Sequence, residues 1–236
     1  MKNKTLIIGA SGLLGSNLKK YFHECLCPTK KELDIRCEIK KSKFYKKNKL
    51  YLNNVNQVIH CASLKNLEFC ENNKIETIKT NILGTMNVAL FCNEINAKLI
   101  YISTDYVFRG DKGNYKPNDE VGPINFYGET KLAAEIITKS ISNHLIIRLS
   151  FCEDVFPYKL AYFNQISTKI KVSEASQKIY YLIQGNSTGT KHIPGTKQNV
   201  YNFAKKTNKN VKKTLIKNTK PPYRPLNSSL LEHDVK

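Results

Sequence analysis

Tyr127 and Lys131 stand four residues apart in the stretch NFYGETKLAAE, at the start of a predicted helix, so both fall on one helical face. A tyrosine that gives up a proton near neutral pH needs its usual pKa of about 10 lowered. An ammonium about 4 Å away is worth up to ~4 kcal/mol at an effective dielectric near 20, or roughly three pKa units at most. Burial of the tyrosine opposes part of that shift. Lysine is therefore the right residue at the right spacing for a tyrosine acid. Taken alone, Tyr-x-x-x-Lys describes an exposed tyrosine and lysine on one helical face equally well.

A third group changes the weight of that pair. In YISTDYVFRG, residues 101–110, an apolar strand ends in Ser103, Thr104 and Asp105 before returning to Tyr106, Val107 and Phe108. Either the polar residues turn the chain out of the core, or they place a hydroxyl at the carboxyl rim of a parallel sheet, where such folds hold their ligands. In the second reading Thr104 and Tyr127 both reach a carbonyl lying over a nicotinamide. Thr104 polarises the carbonyl oxygen with a hydrogen bond and Tyr127 protonates it. Lys131 also bonds the nicotinamide ribose.

The elements that position these groups follow from hydrophobic period. KTLIIGASGLLGSNLKKYF opens with the fully apolar run Leu6, Ile7 and Ile8, a buried parallel strand. Gly9, Gly12 and Gly15 follow at G-x-x-G-x-x-G spacing, and Leu13, Leu14 and Leu18 begin a helix. After a strand and before a helix, such glycines allow a tight turn and close approach to a pyrophosphate, with free amides at the helix start for the anion. The bland alternative is a tight turn with no ligand. ECLCPTKKELDI holds the second strand and its exit, where an NAD site places an acid. Thr29, Lys30 and Lys31 stand there instead, and cations suit the 2′-phosphate of NADP; Asp34 either faces the adenine or caps a turn.

Further strands are expected in NQVIHCAS (56–63), AKLIYISTDYVF and HLIIRLS, with helices in NKIETIKTNILGTMNVALFCNEI and NFYGETKLAAEIITKSI. Leu132, Ala133, Ile136 and Ile137 mark the apolar stripe of the last. Strands alternating with helices imply βαβ units, hence an α/β fold: a Rossmann-like, doubly wound parallel sheet with a small C-terminal substrate subdomain. Residues 1–150 form the nucleotide domain and 151–236 the substrate-facing subdomain and basic tail. Beyond Ser150 the pattern loosens to two short elements, a helix at NVYNFAKKTNK and a proline-interrupted tail.

Composition bounds the classes. The 236 residues are 41% hydrophobic and 10% aromatic, enough for a real core. No apolar run reaches the ~18–20 residues of a membrane span. The three glycines in MKNKTLIIGASGLLG argue for a first strand over a signal peptide, and a cytoplasmic location follows. Seven scattered cysteines without an export signal are expected as reduced thiols, with no metal site. The formal charge of +19 comes from 38 basic residues, of which only Arg36, Arg109, Arg148 and Arg224 are arginine. Base readout leans on bidentate arginine, so attraction of an anionic nucleotide explains the charge better than nucleic-acid binding.

GASGLLG, STDYVFRGDKGNY, PINFYGETKLAAE and IIRLS together resemble the extended short-chain dehydrogenase/reductases. Within that group they are most similar to the dTDP-4-dehydrorhamnose reductases and their sugar-nucleotide-binding relatives. The resemblance covers the first 150 residues and resumes in KHIPGTKQNVYNFAKK and in YRPLNSSLL around Arg224. It implies a catalytic set of Thr104, Tyr127 and Lys131. It implies a cofactor set of Gly9, Ser11, Gly12, Leu13, Leu14, Gly15, Lys30, Asp34, Ile35, Cys61, Ala62 and Ser63, with Tyr127 and Lys131. Thr104, Asp105, Tyr106 and Arg224 face the substrate. The implied reaction is reduction by NADPH, or NADH, of the C4 ketone of a nucleotide-linked 4-keto-6-deoxyhexose, in a chain that could form a homodimer. Related 4,6-dehydratases carry Asp-Glu after the threonine; here Tyr106 follows Asp105, which favours simple reduction. An Asp-Gln and Pro-Thr stretch typical of members is not found between Phe163 and Gly189. The alternative from another class is a non-catalytic dinucleotide-binding subunit resembling the methionine adenosyltransferase β subunit.

Overall fold

Short apolar strands buried on both faces need cover on both sides, and the chain supplies it. The structure, a computed structural model, describes residues 4–52 and 54–232. Strands β1 (Lys4–Ile8), β2 (Cys25–Leu26), β3 (Val55–His60), β4 (Lys98–Ile102), β5 (His144–Arg148) and β10 (Gly189–His192) form one sheet in the order β10-β5-β4-β3-β1-β2. Every pairing in it is parallel. Side chains alternate across the sheet as the pleat requires. Leu6, Ile8, Val58 and Leu99 face one hydrophobic core, while Ile7, Ile59 and Ile100 face the other.

The first core is closed by α2 (Lys43–Leu52) and α5 (Gly84–Glu94), through Phe44, Leu52, Val88 and Phe91. The second is closed by α1 (Leu13–Leu18) and α7 (Val172–Gln184), through Leu14, Leu18, Ala175 and Ile179. Helix α3 (Leu67–Asn72) precedes α4 (Lys74–Thr77), which runs through a π-helical segment (Ile78–Leu83) into α5. Helix α6 (Phe126–Lys139) covers Tyr101 and Ile146. The chain leaves β1 toward β2 on one side and returns at β3 on the other, so a crevice opens at the carboxyl ends of β1 and β3.

The region beyond residue 150 is richer than the two short elements expected. It holds the 13-residue α7, and β10 extends the main sheet beside β5, with Gly189 opposite Leu145. The sheet therefore draws on both sides of residue 150. Three small pairs complete this region: β6 (Phe151–Cys152) with β9 (Ile170–Lys171), β7 (Leu160–Tyr162) with β12 (Lys212–Thr214), and β8 (Ile166–Ser167) with β11 (Gln198–Asn199). Helix α8 (Val200–Lys205) falls where NVYNFAKKTNK led one to expect it.

Helix α6 corrects the expected stripe. Its buried residues are Gly128, Thr130, Lys131, Ala134, Glu135 and Thr138, whereas Ile136 is 65% exposed. The inward face is polar because it carries an ion pair: Arg148 Nη2 and Nε donate to Glu135 Oε2 and Oε1 at 2.6 and 2.9 Å. Ser103 Oγ donates to Glu135 Oε1, and Arg148 Nη1 to Pro117 O at 3.0 Å. Removing one member of so buried a pair strands the other charge. Glu135→Ala is expected to lose about 3–5 kcal/mol of stability, read as a lower urea midpoint at unchanged slope.

Candidate active site

β4 delivers three polar residues into buried surroundings. Ser103 points to Glu135, while Thr104 and Asp105 are 6% and 2% exposed. Thr104 Oγ1 accepts from Tyr106 N at 3.2 Å and starts a short 3-10 turn (Asp105–Val107). Its hydroxyl donates to Asp105 Oδ1 at 3.2 Å, and Ser228 Oγ donates to Asp105 Oδ2 at 2.6 Å. Burial pushes the Asp105 carboxyl up, opposed by the Lys169 charge and the Ser228 and Thr104 hydrogen bonds. The strand thus ends in a turn and presents a hydroxyl at the sheet edge.

Asn125 starts α6, its side chain accepting from Gly128 N at 2.9 Å and donating to Tyr223 O at 2.9 Å. A Cβ at Gly128 would lie 2.4 Å from Tyr106 O, so only glycine lets the helix start approach the Thr104 turn this closely. Tyr127, on that first turn, is thereby brought within hydrogen-bonding reach of Thr104. Tyr106 lies edge-on to Tyr127, ring centroids 6.4 Å apart. Asn81, in the π-helical segment, accepts from Leu64 N at 2.8 Å and donates to Thr130 Oγ1 at 3.1 Å. It pins the loop after β3 to α6.

Lys131 does not lower the pKa of Tyr127 as the spacing suggested. Its Nζ donates to Ile102 O at 2.6 Å and lies 4.1 Å from the Tyr101 ring centroid. Burial pushes Tyr127 up, with the Thr104 hydroxyl opposing. Burial also pushes Lys131 down to about 7, against the pull of Glu135 and Cys61. Desolvation outweighs the pairing because both groups sit inside the protein. Tyr127 accordingly keeps its proton across the neutral range.

The cleft these residues border is lined by Gly9, Gly12, Leu13, Leu14 and Gly15 after β1, Cys61, Ser63 and Lys65 after β3, and Ser103, Tyr127, Lys131 and Phe151. Gly9 has φ +88°, and a Cβ on it would meet Ala62 N at 2.7 Å; one on Gly15 would meet Gly9 O at 2.3 Å. This tight backbone cradle, with the leading amides of α1 beside it, fits a diphosphate. Ser11 is exposed at the loop tip. Lys30 is exposed on the loop after β2. Asp34 is held by its neighbour Arg36, whose Nε donates to it at 2.9 Å and whose Nη1 reaches Glu76 at 2.6 Å. That ion pair holds the Asp34 carboxyl below its usual range. Ile35 is buried and would touch a Cβ at Gly84.

Across from Tyr127 stands a wall from the C-terminal region. Gln165 Nε2 donates to the Tyr106 hydroxyl at 3.0 Å and to Pro225 O at 3.0 Å. Arg224 lies over the Tyr162 ring at 5.5 Å and also reaches Tyr106. Arg224 and Tyr106, expected from the sequence to face the substrate, stand in this wall with Gln165, while Ser228 bonds Asp105 beside it; Gln165 and Ser228, in aperiodic stretches, were not singled out. Among the described residues no helix is long and apolar enough to cross a membrane, and no group of three or more His, Cys, Asp or Glu could hold a metal ion. The seven cysteines are free thiols, with Cys25 and Cys27 Sγ atoms 3.3 Å apart.

A parallel doubly wound sheet with a glycine-lined crevice where its strand order reverses defines a Rossmann-like α/β protein. Residues 3–191 match the RmlD substrate binding domain, and the chain belongs to that family. The dTDP-4-dehydrorhamnose reductase of Mycolicibacterium smegmatis is 35% identical over 141 residues, 57% of this chain and 41% of that protein. Methionine adenosyltransferase 2 subunit beta of Bos taurus is 34% identical over 143 residues, 56% of this chain and 41% of that one. These sequence matches span less than half of either relative. Among solved structures, dTDP-4-dehydrorhamnose reductase from Bacillus anthracis in complex with NADP superposes with a TM-score of 0.87 at 27% identity. That superposition covers 99% of this chain and 92% of the other.

Lys131 predicts a pH signature. The unfolded chain keeps this proton to about pH 10, whereas the fold releases it near 7. Between those values the unfolded state binds more protons, so the contribution of Lys131 to stability rises with pH. Lys131→Met removes that contribution. Relative to wild type, its melting temperature is expected to be highest near pH 6 and to fall steadily toward pH 10 in scanning calorimetry.

Proposed function

We propose that this chain is an NADPH-dependent reductase acting on the C4 ketone of a nucleotide-linked 4-keto-6-deoxyhexose, in the manner of the dTDP-4-dehydrorhamnose reductases. The observation that carries the reading is the convergence of the Thr104 and Tyr127 hydroxyls, with Lys131 beside them, at the end of a glycine-lined cleft. Gly9, Gly12 and Gly15 would hold the cofactor diphosphate. The exposed Lys30 and Lys31 suit a 2′-phosphate; of the carboxylates nearby, Glu32 accepts from Thr29 and Asp34 is paired with Arg36. The NADP in the Bacillus anthracis structure supports the same choice.

A reduced nicotinamide held there would supply a hydride to the carbonyl carbon. Thr104 turns its hydroxyl from Asp105 to the carbonyl oxygen and steadies the charge that gathers on it. Tyr127 gives that oxygen its phenolic proton, so the ketone ends as an alcohol. Lys131, whose proton burial loosens before binding, is fully protonated as anionic groups approach and then stabilises the tyrosinate left behind. The stretch around Gln165 and residues 223–228 would supply the opposite wall, where Arg224 would meet the nucleotide's phosphates. The comparable identity to the methionine adenosyltransferase subunit sustains a second reading, a non-catalytic binder of the same dinucleotide.

Oxidation of NADPH, followed by nicotinamide absorbance with dTDP-4-dehydro-6-deoxy-L-mannose made in situ, separates the two. Wild type is expected to turn over, with Tyr127→Phe slower by about 10²–10⁴-fold and Thr104→Val by roughly 10²–10³-fold. If wild type and Tyr127→Phe both bind NADPH and neither oxidises it, the binder is the correct reading.

A further inference from the structure

The carboxylate one helical turn beyond Lys131, that of Glu135, is committed elsewhere: Arg148 donates to both of its oxygens and Ser103 to one. Lys131 Nζ itself donates to Ile102 O at 2.6 Å, a neutral carbonyl. Its other close neighbour is a ring. The same Nζ lies 4.1 Å from the centroid of Tyr101, and the two residues are 2% and 1% exposed. An aromatic face attracts a cation through its quadrupole, and most strongly where both are out of water.

Three elements wedge that ring in place. Tyr101 stands in β4 with His60 of β3 and Ile146 of β5 as its register partners on either side. It packs with Ile146 and with Ala134, three residues beyond Lys131 on α6, and its centroid is 5.6 Å from that of the His60 ring. His60 is fixed in turn: its Nε2 lies 3.1 Å from Thr85 Oγ1, which donates to Asn81 O at 2.7 Å. The sheet thus sets the ring, the helix sets the lysine, and the two meet face to tip.

The surroundings leave the ring to act alone. Burial pushes the phenols of Tyr101 and Tyr127 and the Cys61 thiol up and the His60 imidazole down, so all four are neutral across the neutral range. Glu135 carries charge, and Arg148 answers it. A ring holds a cation without cancelling it. A carboxylate in the same place would bind the ammonium harder and take up the positive charge that a tyrosinate needs.

Resting on the reductase reading, we infer that Tyr101 is a positioning residue: the face of its ring is the seat that keeps the Lys131 ammonium charged and at the cleft it shares with Tyr127, ready to stabilise the tyrosinate that reduction leaves. Strand β4 then serves the chemistry twice, with the hydroxyl of Thr104 at its exit and the ring of Tyr101 beneath α6.

The test titrates Lys131 directly and needs no turnover. With isotopically labelled lysine ε-carbons, NMR identifies Lys131 as the resonance that moves near neutral pH and is missing from Lys131→Met. Wild type is compared with Tyr101→Phe, with Tyr101→Leu, and with pentafluorophenylalanine at position 101, which keeps the shape of a ring and reverses the sign of its face. Tyr101→Phe is expected to titrate within about 0.3 pH unit of wild type, and the leucine and fluorinated proteins about one pH unit lower, a ten-fold loss of proton affinity. In the NADPH assay the alkaline limb of the kcat profile should move down by a similar amount in those two, with the NADPH Kd within about two-fold. The assignment is overturned if the fluorinated protein titrates with wild type, or if Tyr101→Phe shifts as far as Tyr101→Leu. Should Tyr101→Leu fail to fold, the fluorinated ring, which conserves volume, decides against Tyr101→Phe. A wild type that shows the expected titrations and binds NADPH without reducing the sugar overturns the reductase reading and leaves the lysine's seat standing.

Discussion

The buried pair between Glu135 and Arg148 is the contact on which the site's geometry depends. Glu135 is fully buried and Arg148 almost so, and through Ser103 and Pro117 they join β4, β5, α6 and the connection before it. Charges so far from water hold only with their hydrogen bonds complete. The guanidinium bridges both carboxylate oxygens, and Ser103 and Pro117 take up further capacity. One helical turn before Glu135 is Lys131, and one turn earlier still is Tyr127. Seating Glu135 on Arg148 therefore sets the rotation of α6, and with it which residues the helix turns toward the crevice.

That dependence explains which parts of the fold were legible in the residues alone. The first strand, its glycines and the following helix are local, each deciding its own shape, and they stand as expected. The alternation of strands and helices was equally plain. Helix α6 was misread in part: Leu132 and Ile137 do pack against the cores, but hydrophobic period assumes that every apolar residue of the stripe faces inward. Here an ion pair 13 residues apart in sequence reverses the rule, and Ile136 faces outward. The C-terminal strands were illegible for a different reason: they are two to four residues long, too short to show a period, while α7 carries one in Val172, Ala175, Ile179 and Ile183 that the reading passed over.

The candidate site divides in the same way. Thr104, Tyr127 and Lys131 were visible from type and spacing, but the electrostatics of the pair were not. Spacing predicts attraction between a lysine and a tyrosine; burial, which only the fold decides, pushes both toward their neutral forms. Gln165 and Ser228 carried no signal because each serves a partner far away in the chain. The wall opposite Tyr127 is a meeting of β4, the stretch around β8 and the C-terminal segment, and no one of these specifies it.

The contact between Gly128 and the Tyr106 carbonyl bears on how such a chain can vary. It welds the turn after β4 to the first turn of α6, while the segment joining them, residues 108–124, is bonded to the C-terminal stretch through Gly110, Asn114 and Tyr115 and to Arg148 through Pro117. Insertions and deletions in that segment must fall between those ties to leave the site undisturbed. One residue gained or lost between Asn125 and Gly128 would break both the cap and the close approach at once. The two short motifs are thus bound to evolve as a single unit, and grafting either into another scaffold without its partner would carry over the letters but not the geometry.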